Sequence, residues 1–383
     1  MKHAPWMTDD HVAYGDTVRH FLSRELPGNL ERWTAQGYVE AEFWRKAGDV
    51  GILGASIPEC YGGGGLDRTF DAVAFLEYSR TGDTGWGLGV HNIAAHYILG
   101  YGTEEQKTRW LPGLVSGERI GAIAITEPGS GSDMKSIATR ARKQGDHYRI
   151  SGSKIFITNG QTANLLCVVT KTDPGAGSRG VSIIVVDTNE AGEGFRRGRK
   201  LKKLGMQRQD TSELFFDELS VPAENLLGAV DGQGFYQLMH QLSWERLIIG
   251  FMALGACERA LEVTLDYVKG RRAFQKRLIE FQNTRFKLAE VATKVEVLRA
   301  FVDQAVAEFL AGKYDGTRAA MMKWWATQTQ CEIVDECLQL HGGYGYTMEY
   351  PIAELYTDAR VQKIYGGTNE IMKDLIARAL DPN

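Results

Sequence analysis

The chain has 383 residues, 43 % hydrophobic and 24 % charged, with a formal net charge of -4. That is the balance of a soluble globular protein with room for two or three domains, and it excludes a general attraction to nucleic acid or anionic membrane. The longest apolar run, Leu247 to Cys257, is far short of the roughly 20 residues of a spanning helix, so membrane insertion is excluded too.

In chain order, the first residues carry Asp9, Asp10 and Asp16 and lack an apolar core, which fits neither a secretion signal nor a basic transit peptide. Residues 1–117 read as helices separated by glycine-rich loops. Thr103-Glu104-Glu105-Gln106 matches a capping box leading into Leu111 and Leu114, and glycine clusters at Gly62 to Gly65 and around Gly82 to Gly89 mark turns. From 118 to 228 the texture changes to strands: Tyr148 to Ile157, Leu165 to Thr170, Val181 to Val186 and Leu214 to Phe216. The basic stretch Arg196 to Lys203 between two of them reads as a solvated loop. From 229 to 383 the chain is helical again, with apolar-periodic segments at 233–269, 279–310, 315–340 and 368–380. Contiguous strands lodged between two helical regions predict an α+β fold of three domains.

Several motifs fail. Gly175-Ala176-Gly177-Ser178-Arg179-Gly180 matches a dinucleotide fingerprint, but the strand-like run from Val181 follows it where a helix is needed, so it reads as a hairpin loop. The eight histidines show no metal-ligand spacing, and no metal site is expected. The five cysteines (Cys60, Cys167, Cys257, Cys331, Cys337) are scattered in apolar surroundings with no CxxC pair, which points to a reducing compartment and a cytoplasmic protein.

One carboxylate stands out. In the helix from Phe235 the apolar stripe runs Leu238, Met239, Leu242, then Ile249, Met252 and Ala256, and Glu245 occupies the position that continues the spacing. A carboxylate there is either paired, with Arg246 or another arginine, or has its pKa raised by desolvation and serves as a general base. Three polar loops, Thr126 to Asp133, His341-Gly342-Gly343 and Gly366-Gly367-Thr368-Asn369, are either tight turns or segments whose exposed amides approach a phosphate or flavin edge.

Together these segments resemble the acyl-CoA dehydrogenase family over nearly the whole chain. The carrying motifs are Ala124 to Asp133, Lys154 to Gly160, Arg271-Arg272-Ala273-Phe274, Gln339 to Gly345 and Ile364 to Glu370. The resemblance implies an N-terminal helical domain, a middle β domain and a C-terminal four-helix bundle, assembled as a homotetramer with one FAD per subunit. It implies that Ile125, Thr126 and Ser132 lie along the flavin and its phosphates, with Phe156 against the ring and Thr158 near flavin N5. Arg271, Phe274, Gln339, Gly342 and Gly343 match the positions that hold the adenine and pyrophosphate from the adjoining subunit, and Thr368 and Glu370 match FAD contacts at the start of the last helix. Ser132, Arg246, Gly366 and Gly367 are the implied substrate contacts, while Leu242, Met239 and the stretch Tyr97 to Tyr101 either line the acyl pocket or belong to the ordinary core.

Tyr365-Gly366-Gly367-Thr368 departs from the commonest pattern, in which a glutamate at the second position is the catalytic base. Glu245, just before Arg246, matches the other family location, that of isovaleryl-CoA and long-chain dehydrogenases, and the last third resembles the long-chain enzyme most. The implied reaction converts a medium- to long-chain, straight or branched acyl-CoA to the trans-2-enoyl-CoA. Glu245 takes the α-proton, with Arg246 as its orienting partner or a plain salt-bridge residue, and the N–H of Gly366 holds the thioester oxygen. An electron-transfer flavoprotein is the implied acceptor. An acyl-carrier-protein-linked dehydrogenase and a flavin oxidase or monooxygenase share the fold and stand as alternatives.

Overall fold

The computed structural model describes residues 4–83 and 85–381. Six helices come first: α1 (Asp9–Glu25), α2 (Leu30–Gln36), α3 (Ala41–Asp49), α4 (Arg68–Arg80), α5 (Leu88–Tyr101) and α6 (Glu104–Ser116). The capping box at Thr103 is formed in both directions: its hydroxyl accepts from Gln106 N–H, and its own N–H donates to the Gln106 side chain at 3.0 Å. Helix α4 is buried continuously from Thr69 to Ser79, the mark of a helix enclosed on all sides.

Seven strands follow: β1 (Gly121–Ala124), β2 (Arg140–Gln144), β3 (His147–Thr158), β4 (Leu165–Lys171), β5 (Val181–Asp187), β6 (Phe195–Lys200) and β7 (Thr211–Pro222). They form one sheet in the order β1-β4-β2-β3-β7-β6, with β5 antiparallel to β4. The Gly175–Gly180 segment is the turn joining β4 to β5, a hairpin connection as its composition suggests. Strand β3 runs antiparallel to β7 with irregularities at Ile150/Gly152 and Lys154/Ile157.

The remaining helices are α7 (Gly234–Gly270), α8 (Gln282–Leu310), α9 (Gly316–His341), α10 (Pro351–Gln362) and α11 (Asn369–Leu380). Helices α7, α8 and α9 pack on one another, with α10 and α11 laid against α9, giving the α+β architecture of a helical domain, a sheet and a helical bundle. Helix α7 is buried on every side from Arg246 to Cys257 and packs on α4 as well. Gly255 permits that approach, because a Cβ there would collide with Ser79 Oγ and crowd the Leu76 carbonyl at 2.9 Å. Among the described residues no helix is long and apolar enough to cross a membrane.

Four expectations change. The Arg196 to Lys203 stretch is not a loop: its first part is β6, which pairs with β7 as the edge of the sheet. Arg197 donates to the carbonyls of Gly160 and Ala163, and the Arg196 guanidinium lies 4.2 Å from the centre of the Phe215 ring, so the charges that suggested a loop cover a sheet edge. Met239 leaves the apolar stripe and is 39 % exposed. Cys60 is exposed rather than set in apolar surroundings. Strands β1 and β2 and helix α10 carry too short or too polar a pattern to have been anticipated.

Candidate active site

Glu245 sits on α7 where α5 and α4 cross it. The Tyr97 hydroxyl of α5, itself fully buried, donates to Glu245 Oε1 at 2.9 Å, and Glu245 makes no ion pair among the described residues. Burial pushes its carboxyl up to about 7, against the Tyr97 hydrogen bond and the charges of Arg246 and Arg68, which hold it down. A carboxyl poised there is available as a base at neutral pH. Arg68, on the first turn of α4, lies over the Trp244 ring at 5.3 Å and donates to Gln241 at 3.4 Å.

Arg246 is therefore not the hydrogen-bonding partner of Glu245. It is buried, its Nε meets no acceptor, and burial lowers its pKa while Glu245 acts on it through space. It points toward the turn between α10 and α11, where Gly367, at φ +90°, would place a Cβ 3.9 Å from Arg246 Nη2. Gly366, at φ +64°, lies against Ile249, one turn beyond Glu245 on α7, and a Cβ at 366 would come within 2.6 Å of Ile249 Cδ1. Leu242, partly exposed, precedes Glu245 by one turn. Glu245, Tyr97, Leu242, Arg246, Gly366 and Gly367 are thus gathered into one region.

A second group lies along the sheet. Ile155 N–H donates to the Thr126 carbonyl at 2.9 Å, which lays the Thr126 segment beside the end of β3. Lys154, fully buried, donates to Glu127 at 2.8 Å and to the Ile125 carbonyl at 2.9 Å, while Glu127 also accepts from the N–H groups of Ala138 and Thr139. This buried pair fixes the loop at both ends. Ser132 stands exposed beyond it. At the β3 irregularity Phe156 takes φ +61° and is 63 % exposed. The Thr158 hydroxyl donates to Gln209 at 3.5 Å.

A third group is exposed on the helical bundle. Phe274 and Gln275 form the two-residue turn of a hairpin pairing Arg272–Ala273 with Lys276–Arg277, both at positive φ, and Phe274 is 90 % exposed. The Arg271 guanidinium lies over the Tyr344 ring at 5.3 Å. Gln339, Gly342 and Gly343 are exposed at the end of α9, and a Cβ at either glycine would meet nothing within 4 Å. Thr368 caps α11, accepting from Ile371 N–H at 3.3 Å, with Glu370 exposed beside it. Phe274, Gln339, Gly342 and Gly343 lie open on the protomer surface, whereas Thr368 directly follows Gly367 and so adjoins the Glu245 region.

All three parts of the chain match models of one family: residues 8–118 the acyl-CoA dehydrogenase N-terminal domain, 122–219 its middle domain and 232–380 its C-terminal domain. The chain belongs to the acyl-CoA dehydrogenase family. It is 45 % identical to the mitochondrial long-chain specific acyl-CoA dehydrogenase of Mus musculus, over 97 % of this chain and 87 % of the mouse protein. The crystal structure of acyl-CoA dehydrogenase from Geobacillus kaustophilus superposes with a TM-score of 0.96 at 46 % identity, covering 99 % of this chain and 100 % of that one. A glutaryl-CoA dehydrogenase from Mycobacterium smegmatis, solved in complex with FADH2, matches with a TM-score of 0.91 at 30 % identity over 98 % of this chain and 96 % of its own. As an acyl-CoA dehydrogenase family member the chain is an oxidoreductase acting on a CH–CH group.

Tyr97 was visible in the sequence only as one of a stretch that either lines a pocket or fills the core. The available signal was a tyrosine in an apolar helix, whose hydroxyl needs a partner when buried.

Proposed function

We propose that this chain oxidises a medium- to long-chain acyl-CoA, straight or branched, to its trans-2-enoyl-CoA, with Glu245 as the base that removes the α-proton. The observation that carries this reading is Glu245 itself: a carboxyl raised to about 7, anchored by Tyr97 and without an ion pair, one helical turn from the Ile249 that touches Gly366. General base catalysis of this kind contributes about a hundred- to ten-thousand-fold. The N–H of Gly366 is the proposed donor to the thioester oxygen, and the glycine lets that backbone approach α7, where a side chain would collide with Ile249 Cδ1. Leu242, Ser132, Arg246 and Gly367 are the proposed substrate neighbours.

The residues present fit FAD. Two bulky aromatics, Phe156 and Phe274, are held exposed in the left-handed backbone region, at a typical cost of about 1 to 3 kcal/mol each that a surface role without a ligand does not explain. Ile125, Thr126, Ser132, Phe156 and Thr158 would hold it along the sheet, with Thr368 and Glu370 at the start of α11. Arg271, Phe274, Gln339, Gly342 and Gly343, pointing outward, would hold the FAD of an adjoining copy in a homotetramer. Bound FAD supplies the acceptor for the β-hydrogen, taken as hydride. The proposed electron acceptor is an electron-transfer flavoprotein, and the proposed location is the cytoplasm, which five free thiols suit.

The test is the visible flavin spectrum of the purified protein, followed anaerobically as straight and branched acyl-CoAs are added. Bleaching by medium- to long-chain esters is expected. A flavin left oxidised by every CoA ester would overturn the substrate class.

A further inference from the structure

Resting on the reading of Glu245 as the base, we propose that Tyr97 is its positioning residue: the Tyr97 hydroxyl holds Glu245 Oε1 so that Oε2 is the oxygen that takes the substrate proton. Tyr97 Oη donates to Oε1 at 2.9 Å, while Oε2 carries no hydrogen bond among the described residues. The tyrosine is fully buried on α5, in the apolar cluster that also holds Ile98, Leu238 and Cys167. One oxygen is thus occupied and the other left free, on a side chain that otherwise has three rotatable bonds.

The same bond discriminates between the two states of the base. A hydroxyl donates strongly to a carboxylate and more weakly to the neutral acid. Tyr97 therefore favours the ionised form that starts the reaction and loses part of its bond as the proton arrives. The other charged or titratable groups facing Glu245 are Arg68 on α4, Arg246 on α7 and Tyr101 on α5; the two arginines act in the same direction as Tyr97. Among the described residues none of the three is hydrogen-bonded to the carboxylate, and Tyr97 is the group that fixes its orientation.

Tyr97→Phe removes the hydroxyl and keeps the ring. In the FAD-bound protein its acid limb, in kcat/KM against pH, is expected to move upward by roughly one to two pH units, with the high-pH plateau falling less than the neutral-pH rate. A second readout avoids hydride transfer: exchange of the α-hydrogen of a saturated acyl-CoA into D2O by the dithionite-reduced enzyme should show the same shifted limb. An acid limb that stays in place, whether activity is unchanged or lowered equally at all pH values, would overturn the role of Tyr97. Where Tyr97→Phe loses flavin or its melting transition, Tyr97→Met, which also lacks a donor, is read against the unsubstituted enzyme in its place, and an unmoved acid limb there overturns the proposal. Glu245→Gln separates the two claims. If it still exchanges the α-hydrogen, the base reading itself has failed, independently of Tyr97.

Discussion

At the scale of single residues, the buried carboxyl proposed as the base carries a stability cost. The folded carboxyl of Glu245 titrates near 7 against an ordinary value of 4.5, so between those pH values the native state binds more protons than the unfolded chain. Stability from this group is present in full below about 4.5 and is lost as pH rises through 7. Glu245→Gln keeps an acceptor for Tyr97 and removes the charge. It is expected to lose turnover by about a hundred- to ten-thousand-fold and to gain stability on the order of 3 kcal/mol at pH 8, with little gain at pH 4.5. Melting curves at the two pH values check the stability half, and acyl-CoA-driven flavin reduction checks the other. The glutamate was legible in the sequence because one charge on an apolar stripe is a conspicuous break in period. Its partner was not: the periodicity of α7 says nothing about which residue of α5 crosses it, and adjacency in sequence made Arg246 the natural candidate although successive helical residues face different ways.

At the scale of elements, the turns and edges of this fold hold what sequence patterning does not show. The long helices α7, α8 and α9 and the apolar strands β4 and β5 were readable because repeated burial writes a repeated pattern. Strand β6 was hidden because an edge strand is protected by charge, and Arg196 and Arg197 look like solvent until Phe215 and the carbonyls beneath them are in place. The Lys154–Glu127 pair is a related case: a charge on a strand and a charge on a loop that turn out to be buried against each other. Lys154→Met leaves Glu127 without its cation and is expected to cost about 3 to 5 kcal/mol, measured by urea unfolding. At the α10–α11 turn, Gly366→Ala meets both the left-handed backbone and Ile249 Cδ1. A loss of about 1 to 2 kcal/mol is expected from the backbone alone, and Ile249→Val in the same chain should recover the steric part and leave the backbone part. Full recovery would mean that the turn does not depend on glycine for its conformation.

At the scale of the whole molecule, the residues that the family resemblance assigns to FAD divide into two sets, the β3 end with the start of α11, and the outward hairpin with the α9 terminus. A single copy leaves Phe274 90 % exposed at the tip of a strained two-residue turn, an arrangement that costs energy in isolation and makes sense when a neighbouring subunit presents its flavin there. The sequence could place Arg271 and Phe274 in a motif but could not say which way they face, since a six-residue hairpin between two helices has no period to read. Because Phe274 packs on little within its own chain, Phe274→Ala should leave circular dichroism and the melting of the protomer core unchanged. Loss of one aromatic contact of about 0.5 to 1.5 kcal/mol should weaken flavin retention by roughly two- to tenfold, read as flavin absorbance per protein after dialysis. Light scattering on the same sample reports whether the assembly is a tetramer. Retention unchanged in a confirmed tetramer would take the hairpin out of the flavin site; retention lowered while the tetramer persists would place the defect at the flavin contact and not in assembly.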